Sequence, residues 1–262
     1  MNKYHVIMMA PRRLSLALFL LLAACVTEAT AQEIWTMPKE LPTTPPGATP
    51  ATFPLPRFEW LQRIIENNAK ANKAPETIQL VFDGDSITDG WQGKGRRTFD
   101  ERYGKIGVFD FGLSGDRTQN LLWRLYNGQV DKVRPKLVVL LIGTNNIGFG
   151  EKPEDAAAGV KAVVEEYRKR LPESVILLQA VFPRGQSPQD QARPKIDTLN
   201  REIAKLADGE KVVFLDFGEK FLNPDGSVNA DLMPDFLHPN DKGYVVWADA
   251  IQPVIDKYFP PR

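Results

Sequence analysis

Between residues 78 and 217 the chain alternates two patterns. Apolar runs of β-branched, leucine and aromatic residues cover 78–82, 107–111, 137–142, 175–181 and 212–217, and each reads as a strand. Helical periodicity marks the stretches between and around them: 57–72, 117–126, 153–171, 191–206 and 242–258. The helix over 153–171 places Val160, Val163, Val164, Tyr167 and Leu171 on one face. The helix over 191–206 does the same with Ile196, Leu199, Ile203 and Leu206. Strands that are apolar almost throughout are buried on both faces, which requires helices on both sides of a parallel sheet. Right-handed crossovers then give a single α/β domain, a doubly wound three-layer α/β/α sandwich of five parallel strands. Ligands are expected beyond the carboxyl ends of those strands.

The N-terminal quarter does not follow this alternation. Arg12 and Arg13 precede an apolar run over 14–24, and Ala29-Thr30-Ala31 completes an A-x-A cleavage site, so residues 1–31 read as a secretory signal. The run is too short for an ordinary membrane-spanning helix. A second processing route competes, because Leu22-Ala23-Ala24-Cys25 resembles a bacterial lipobox, in which Cys25 would carry a lipid anchor. Cleavage after Ala31 is favoured because that site is complete. Cys25 is the only cysteine, which rules out an intrachain disulfide. Residues 32–56 carry seven prolines among Thr, Ala and Gly and are expected to form an extended tether or surface strap. The folded domain is expected over 57–262, and the protein is expected to be exported, periplasmic or secreted.

Composition narrows the chemistry. The whole chain has 33 basic and 33 acidic residues. Removal of 1–31 leaves 30 against 32, which offers no footprint for nucleic acid or an anionic membrane. Outside the signal His238 is the only histidine. With one cysteine besides, the usual transition-metal ligand set is lacking, so neither a metal nor an organic cofactor is expected. His238 lies in Asp235-Phe236-Leu237-His238-Pro239, where Asp235 is a natural acceptor for the ring Nδ1–H. Such a pair is common by chance, and on its own it leaves a structural role open.

The expected strand ends supply the partners. The first runs into Asp83-Gly84-Asp85-Ser86-Ile87-Thr88, the second into Gly112-Leu113-Ser114-Gly115-Asp116, and the third into Gly143-Thr144-Asn145-Asn146. A serine hydroxyl is a poor nucleophile until a base takes its proton, and His238 is the one imidazole on offer to Ser86. Ser114 lacks the closing glycine of a G-x-S-x-G elbow and is not the expected nucleophile. Asp116 is expected to cap the helix that follows it.

Taken in order, Gly84-Asp85-Ser86-Ile87-Thr88, Gly115, Gly143-Thr144-Asn145-Asn146 and Asp235-x-x-His238 resemble the blocks of the SGNH hydrolases, or GDSL esterases. Gly115-Asp116-Arg117-Thr118-Gln119, Leu122-Trp123-Arg124-Leu125 and Phe182-Pro183-Arg184-Gly185 are similar to the platelet-activating-factor acetylhydrolase-like branch. The resemblance implies a flavodoxin-like sheet and a serine esterase. In it Ser86 is the nucleophile, His238 the base and then acid, and Asp235 the orienter of the ring. It also implies an oxyanion hole from the N–H groups of Ser86 and Gly115 and the amide of Asn145. Ile87 stands where the motif has leucine. Trp91, Phe182 and Phe236 are candidate walls of the substrate cleft.

The expected substrate is a short acyl, chiefly acetyl, ester of a small molecule or glycan, with lipid esters second. From other classes, Asp83-x-Asp85-x-Ile87 resembles the first motif of haloacid-dehalogenase-type phosphatases, and an exported hydrolase fold can also serve only to bind glycans.

Overall fold

The computed structural model describes residues 48–261. The expected export signal, Cys25 and most of the expected tether lie outside the described residues. Five strands form one parallel sheet: β1 (Leu80–Gly84), β2 (Val108–Asp110), β3 (Leu137–Leu141), β4 (Val175–Gln179) and β5 (Val212–Leu215). Their spatial order is β2-β1-β3-β4-β5, all neighbours parallel, as expected for a flavodoxin-like fold. The helices are α1 (Leu61–Lys73), α2 (Ser86–Asp89), α3 (Arg96–Tyr103), α4 (Thr118–Tyr126), α5 (Thr144–Gly148), α6 (Pro153–Arg170), α7 (Ala192–Ala204) and α8 (Asp241–Tyr258).

The period of two along each strand divides the core. Val81, Val138, Leu140, Ile176 and Leu178 face a cluster with α4, α6 and α7. Leu80, Phe82, Leu137, Val139, Leu141 and Leu177 face the opposite cluster, where α3 and α8 contribute Phe99, Tyr103, Trp247, Ile251 and Ile255. All five residues of β1, of β3 and of β4 are buried. Each of their large apolar side chains contributes about 1.5–3 kcal/mol when taken from water. The last helix starts where Asn240 accepts the Gly243 N–H at 3.0 Å, satisfying one of the amides that have no helical acceptor.

The domain begins earlier than residue 57. Pro50–Thr52 form one 3-10 turn, and Ala51 is fully buried beneath it. The Ala51 carbonyl accepts the Thr118 hydroxyl at 2.8 Å. Leu55 gives its N–H to the Gln119 carbonyl at 3.0 Å and accepts the Asn120 amide at 3.0 Å. Prolines remove donors from this stretch; the N–H groups of Thr49, Thr52 and Phe53 pair within it, and that of Leu55 pairs with the first turn of α4. Residues 48–56, expected as part of a tether or surface strap, are therefore a docked strap.

Because the chain runs outward from β1 to β2 and then back past β1 to β3, a crevice opens beyond the carboxyl ends of β1 and β3. Ser86 follows β1 by two residues, Gly112–Asp116 follow β2, and Asn145 lies in the helix that opens after β3.

Candidate active site

A close backbone crossing brings the end of β1 to the crevice. A Cβ on Gly84 would lie 2.1 Å from the Leu141 carbonyl oxygen, so only glycine lets β1 run in register beside β3 and turn at once. Asp85 caps the next turn by accepting the Ile87 N–H at 3.0 Å. Ser86 is the first residue of α2, where no helical carbonyl reaches its N–H. Its hydroxyl lies 2.8 Å from Nε2 of His238.

The imidazole is delivered by the loop that precedes α8. Asp235 accepts the backbone N–H of Leu237 at 3.1 Å and of His238 at 2.7 Å through Oδ1, and Oδ2 lies 2.7 Å from Nδ1 of His238. A carboxylate only accepts, so Nδ1 carries the proton and Nε2 presents a lone pair to the Ser86 hydroxyl. Burial works against the Asp235 charge, but the His238 N–H groups and the Leu237 N–H prevail and hold this carboxyl below its usual range. Phe236 adopts φ 58°, a left-handed conformation rare for an aromatic residue. It is held there by its own N–H on the Met233 carbonyl at 2.9 Å and by the Gly185 N–H on its carbonyl at 3.0 Å. The backward step at 236 lets Asp235 meet the ring three residues later.

The two other strand ends face the same crevice. Gly115 has φ 80°, and no acceptor for its N–H is found among the described residues. The side-chain amide of Asn145 donates to the Asp116 carbonyl at 2.9 Å. One of its two N–H groups is thus used to hold the Gly115–Asp116 loop. Ser114 gives its hydroxyl to Asp89 at 2.5 Å. It borders the cleft, but the imidazole contact belongs to Ser86. A serine hydroxyl paired with an imidazole at the edge of an open crevice is an arrangement suited to acyl transfer.

Comparison with known proteins agrees. The GDSL-like lipase/acylhydrolase family model matches residues 82–246. Platelet-activating factor acetylhydrolase IB subunit alpha1 of Bos taurus is 34% identical over 192 residues, covering 71% of this chain and 77% of that protein. The chain belongs to the GDSL-like lipase/acylhydrolase family. Among solved structures, a GDSL-like lipase from Bacteroides thetaiotaomicron matches with a TM-score of 0.62 at 23% identity, covering 75% of this chain and 97% of that one. An acetylxylan esterase from Geobacillus stearothermophilus matches with a TM-score of 0.53 at 23% identity, covering 68% and 94%. These two share the fold. The chain is accordingly a carboxylic ester hydrolase.

Beneath the crevice the acylhydrolase carries a buried charge network that the sequence did not disclose. Arg124 of α4 reaches Asp83 at 2.9 Å and Asp116 at 2.8 Å, and gives further N–H groups to the Phe111 carbonyl at 3.1 Å and to Gln129. Gln129 and the Tyr167 hydroxyl complete the shell of Asp83. Burial opposes the Arg124 charge, but Asp83 and Asp116 outweigh it and hold the guanidinium protonated. Asp116 therefore does not cap α4, contrary to the sequence expectation. The helix starts from Arg117, whose N–H pairs with Asn120 at 2.9 Å, while the Asp116 carboxylate points inward to Arg124. Burial, opposed by Arg124, raises the Asp116 carboxyl to about 6. Burial likewise raises Asp85 to about 7, helped by the Asp116 charge and opposed by the Ile87 N–H. The phosphatase alternative fails here as well as on family. Asp83 is fully buried against Arg124, and Asp85 is fully buried too, so neither can meet a phosphoryl group.

None of the three aromatic candidates lines the hollow that holds Ser86 and His238. Trp91 is fully buried with Phe82, Phe99, Tyr244 and Trp247, and Phe182 is buried against Phe217, Phe221 and Trp247. Large rings next to a catalytic motif filled the sheet's α3–α8 face instead. Phe236 does border a hollow of about 440 Å³, with Arg184, Gln186, Asp190 and Lys195. A second, open hollow of about 520 Å³ contains Ser86 and His238 together with Arg63, Gln92, Lys94 and Ser114. Asp235 borders both.

Proposed function

We propose that this acylhydrolase is an exported serine esterase that removes short acyl groups, acetyl foremost, from carbohydrate esters. Ser86 attacks the ester carbonyl while His238 Nε2 takes its proton, and Asp235 stabilises the resulting imidazolium. The tetrahedral oxyanion is held by the N–H groups of Ser86 and Gly115 and the free N–H of Asn145. His238 then protonates the leaving alkoxide, and water, activated by the same imidazole, releases the acid. The observation that carries this reading is the continuous Ser86–His238–Asp235 hydrogen-bond chain at the edge of an open cleft.

The charged and polar side chains around the cleft suit a hydroxyl-rich alcohol. The cleft around Ser86 offers the side chains of Arg63, Asp89, Gln92, Lys94 and Ser114 beside Pro239 and Tyr244. The names of an acetylhydrolase and an acetylxylan esterase among the similar proteins point the same way. The signal-like residues 1–31 support delivery to where polymeric glycans are met, by cleavage after Ala31 or by a lipid anchor at Cys25. Among the described residues no helix is long and apolar enough to cross a membrane.

Comparing kcat/KM for p-nitrophenyl acetate, butyrate, octanoate and palmitate tests the acyl part. Each methylene that a site accommodates adds about 0.8 kcal/mol of binding, so a chain-binding trough would make rates climb with length. The acetate should be fastest. A maximum at octanoate or beyond would move lipid esters to first place. Acetate release from acetylated xylo-oligosaccharides, set against an acetylated glycerophospholipid, tests the alcohol part.

A further inference from the structure

The Ser114–Gly115 peptide is gripped by the segment that enters α1. Its carbonyl oxygen accepts Nη1 of Arg57 at 2.9 Å and the indole N–H of Trp60 at 2.8 Å, so both lone pairs are used and one donor is a cation. Both donors come from the segment that enters α1, outside all the sequence blocks of the site. The same guanidinium sits against Gly115 itself, where a Cβ would come within 2.3 Å of Nη1. It is fastened on its outer side by Glu59, with Nε 2.9 Å from the carboxylate, and Asp116 Oδ1 lies at 3.9 Å. Trp60 is steadied by Arg63, which stacks on its ring at 5.5 Å and pairs with Asp89, the acceptor of the Ser114 hydroxyl.

In a planar trans peptide the C=O and the following N–H point in opposite directions, and no cis peptide occurs among the described residues. Pinning the Ser114 oxygen on the α1 side therefore aims the Gly115 N–H to the other side. A cationic donor on the oxygen also draws electron density from the amide, which makes its N–H a stronger donor. From this geometry we infer that Arg57, with Trp60, is a positioning residue for the oxyanion hole. It orients and polarises the Gly115 N–H through the Ser114 carbonyl without touching substrate. The inference rests on the reading of Gly115 as an oxyanion donor given above. It also gives a second reason for glycine at 115: besides the left-handed φ, the guanidinium needs the space.

The test uses Arg57→Met, Arg57→Lys and Trp60→Phe in the full chain, with p-nitrophenyl acetate turnover and inhibition by a trifluoromethyl ketone that forms a tetrahedral adduct with the serine. Arg57→Met should lower kcat about 10–100-fold, below the loss for a direct oxyanion donor, with KM changed less than about threefold. Arg57→Lys, which keeps one charged donor, should recover much of that loss, and Trp60→Phe should cost about 3–10-fold. The trifluoromethyl ketone Ki should rise in proportion to the fall in kcat/KM across the three variants. Unchanged kcat in folded Arg57→Met, or a loss confined to KM, would overturn the inference. Should Arg57→Met fail to fold, full activity in both Arg57→Lys and Trp60→Phe with an unchanged Ki would overturn it equally. Retained turnover in Ser86→Ala would instead overturn the reading of the site itself, which separates the two failures.

Discussion

The acylhydrolase contains two carboxylate–base pairs of nearly equal length in very different surroundings. Asp235 and His238 are 2.7 Å apart on a surface loop, with side chains 58% and 35% exposed. Asp83 and Arg124 are 2.9 Å apart, at 0% and 2% exposure. The buried pair is closed off from solvent. Its charges are compensated by Asp116, Gln129, Tyr167 and two backbone carbonyls, and it fixes the ends of β1 and β2 to α4. The exposed pair keeps one ring nitrogen for another hydroxyl. Distance alone assigns neither role. What separates them is whether a partner remains to be found: in a low-dielectric interior an unfilled valence is costly, while at the crevice it is the working feature. The buried pair also holds the flank of the turn that carries Ser86, since Asp83 is three residues before it.

The comparison breaks most sharply at the reactive side. Ser86→Ala should lower kcat on the order of 10⁴-fold or more with an unchanged unfolding midpoint, and Ser114→Ala should keep most activity, as steady-state assays and urea denaturation will show. At the buried side the effects should exchange places. Arg124→Met leaves Asp83 and Asp116 as uncompensated buried carboxylates, which should cost about 3–5 kcal/mol of stability, read from the urea midpoint. Little change in that midpoint would mean that the network is not what holds these strand ends.

A smaller effect should appear between the two regions, at Asp85. Its carboxyl is raised to about 7 by burial, against about 3.9 in an unfolded chain. Between these values the folded state binds more protons than the unfolded one, so this residue lowers stability as pH rises from about 4 to about 7. Asp85→Asn imitates the protonated acid and keeps an acceptor for the Ile87 N–H. The variant's stability relative to the parent should therefore increase across that window, on the order of a few kcal/mol, and level off above it. A difference independent of pH would show that Asp85 is not titrating there.

The sheet was legible because both faces of each strand are apolar, and every expected strand overlaps an observed one. The end of β1 was read short, at Phe82 rather than Gly84. Asp83 looks like a turn residue until Arg124 is found beside it, and no local pattern reports a partner 41 positions away. Helix α3 was missed because Arg96–Tyr103 offers only Phe99 and Tyr103 as apolar positions among charged residues. Ser86, Asp235 and His238 were nameable from their motifs, and the fold brings all three together. Trp91 and Phe182 were misplaced because an aromatic residue near a motif carries no sign of the face it will fill. Arg57 and Trp60 gave no signal at all: their target is a backbone carbonyl, which has no residue type.

Treatment with a fluorophosphonate, followed by peptide mapping in a mass spectrometer, tests the central claim most directly. One phosphonyl group should be found on the peptide that contains Ser86, with loss of activity in step with labelling. Labelling should vanish in His238→Ala while the fold is retained. An adduct on Ser114 or elsewhere, or full activity in labelled protein, would contradict the assignment of Ser86 as the nucleophile.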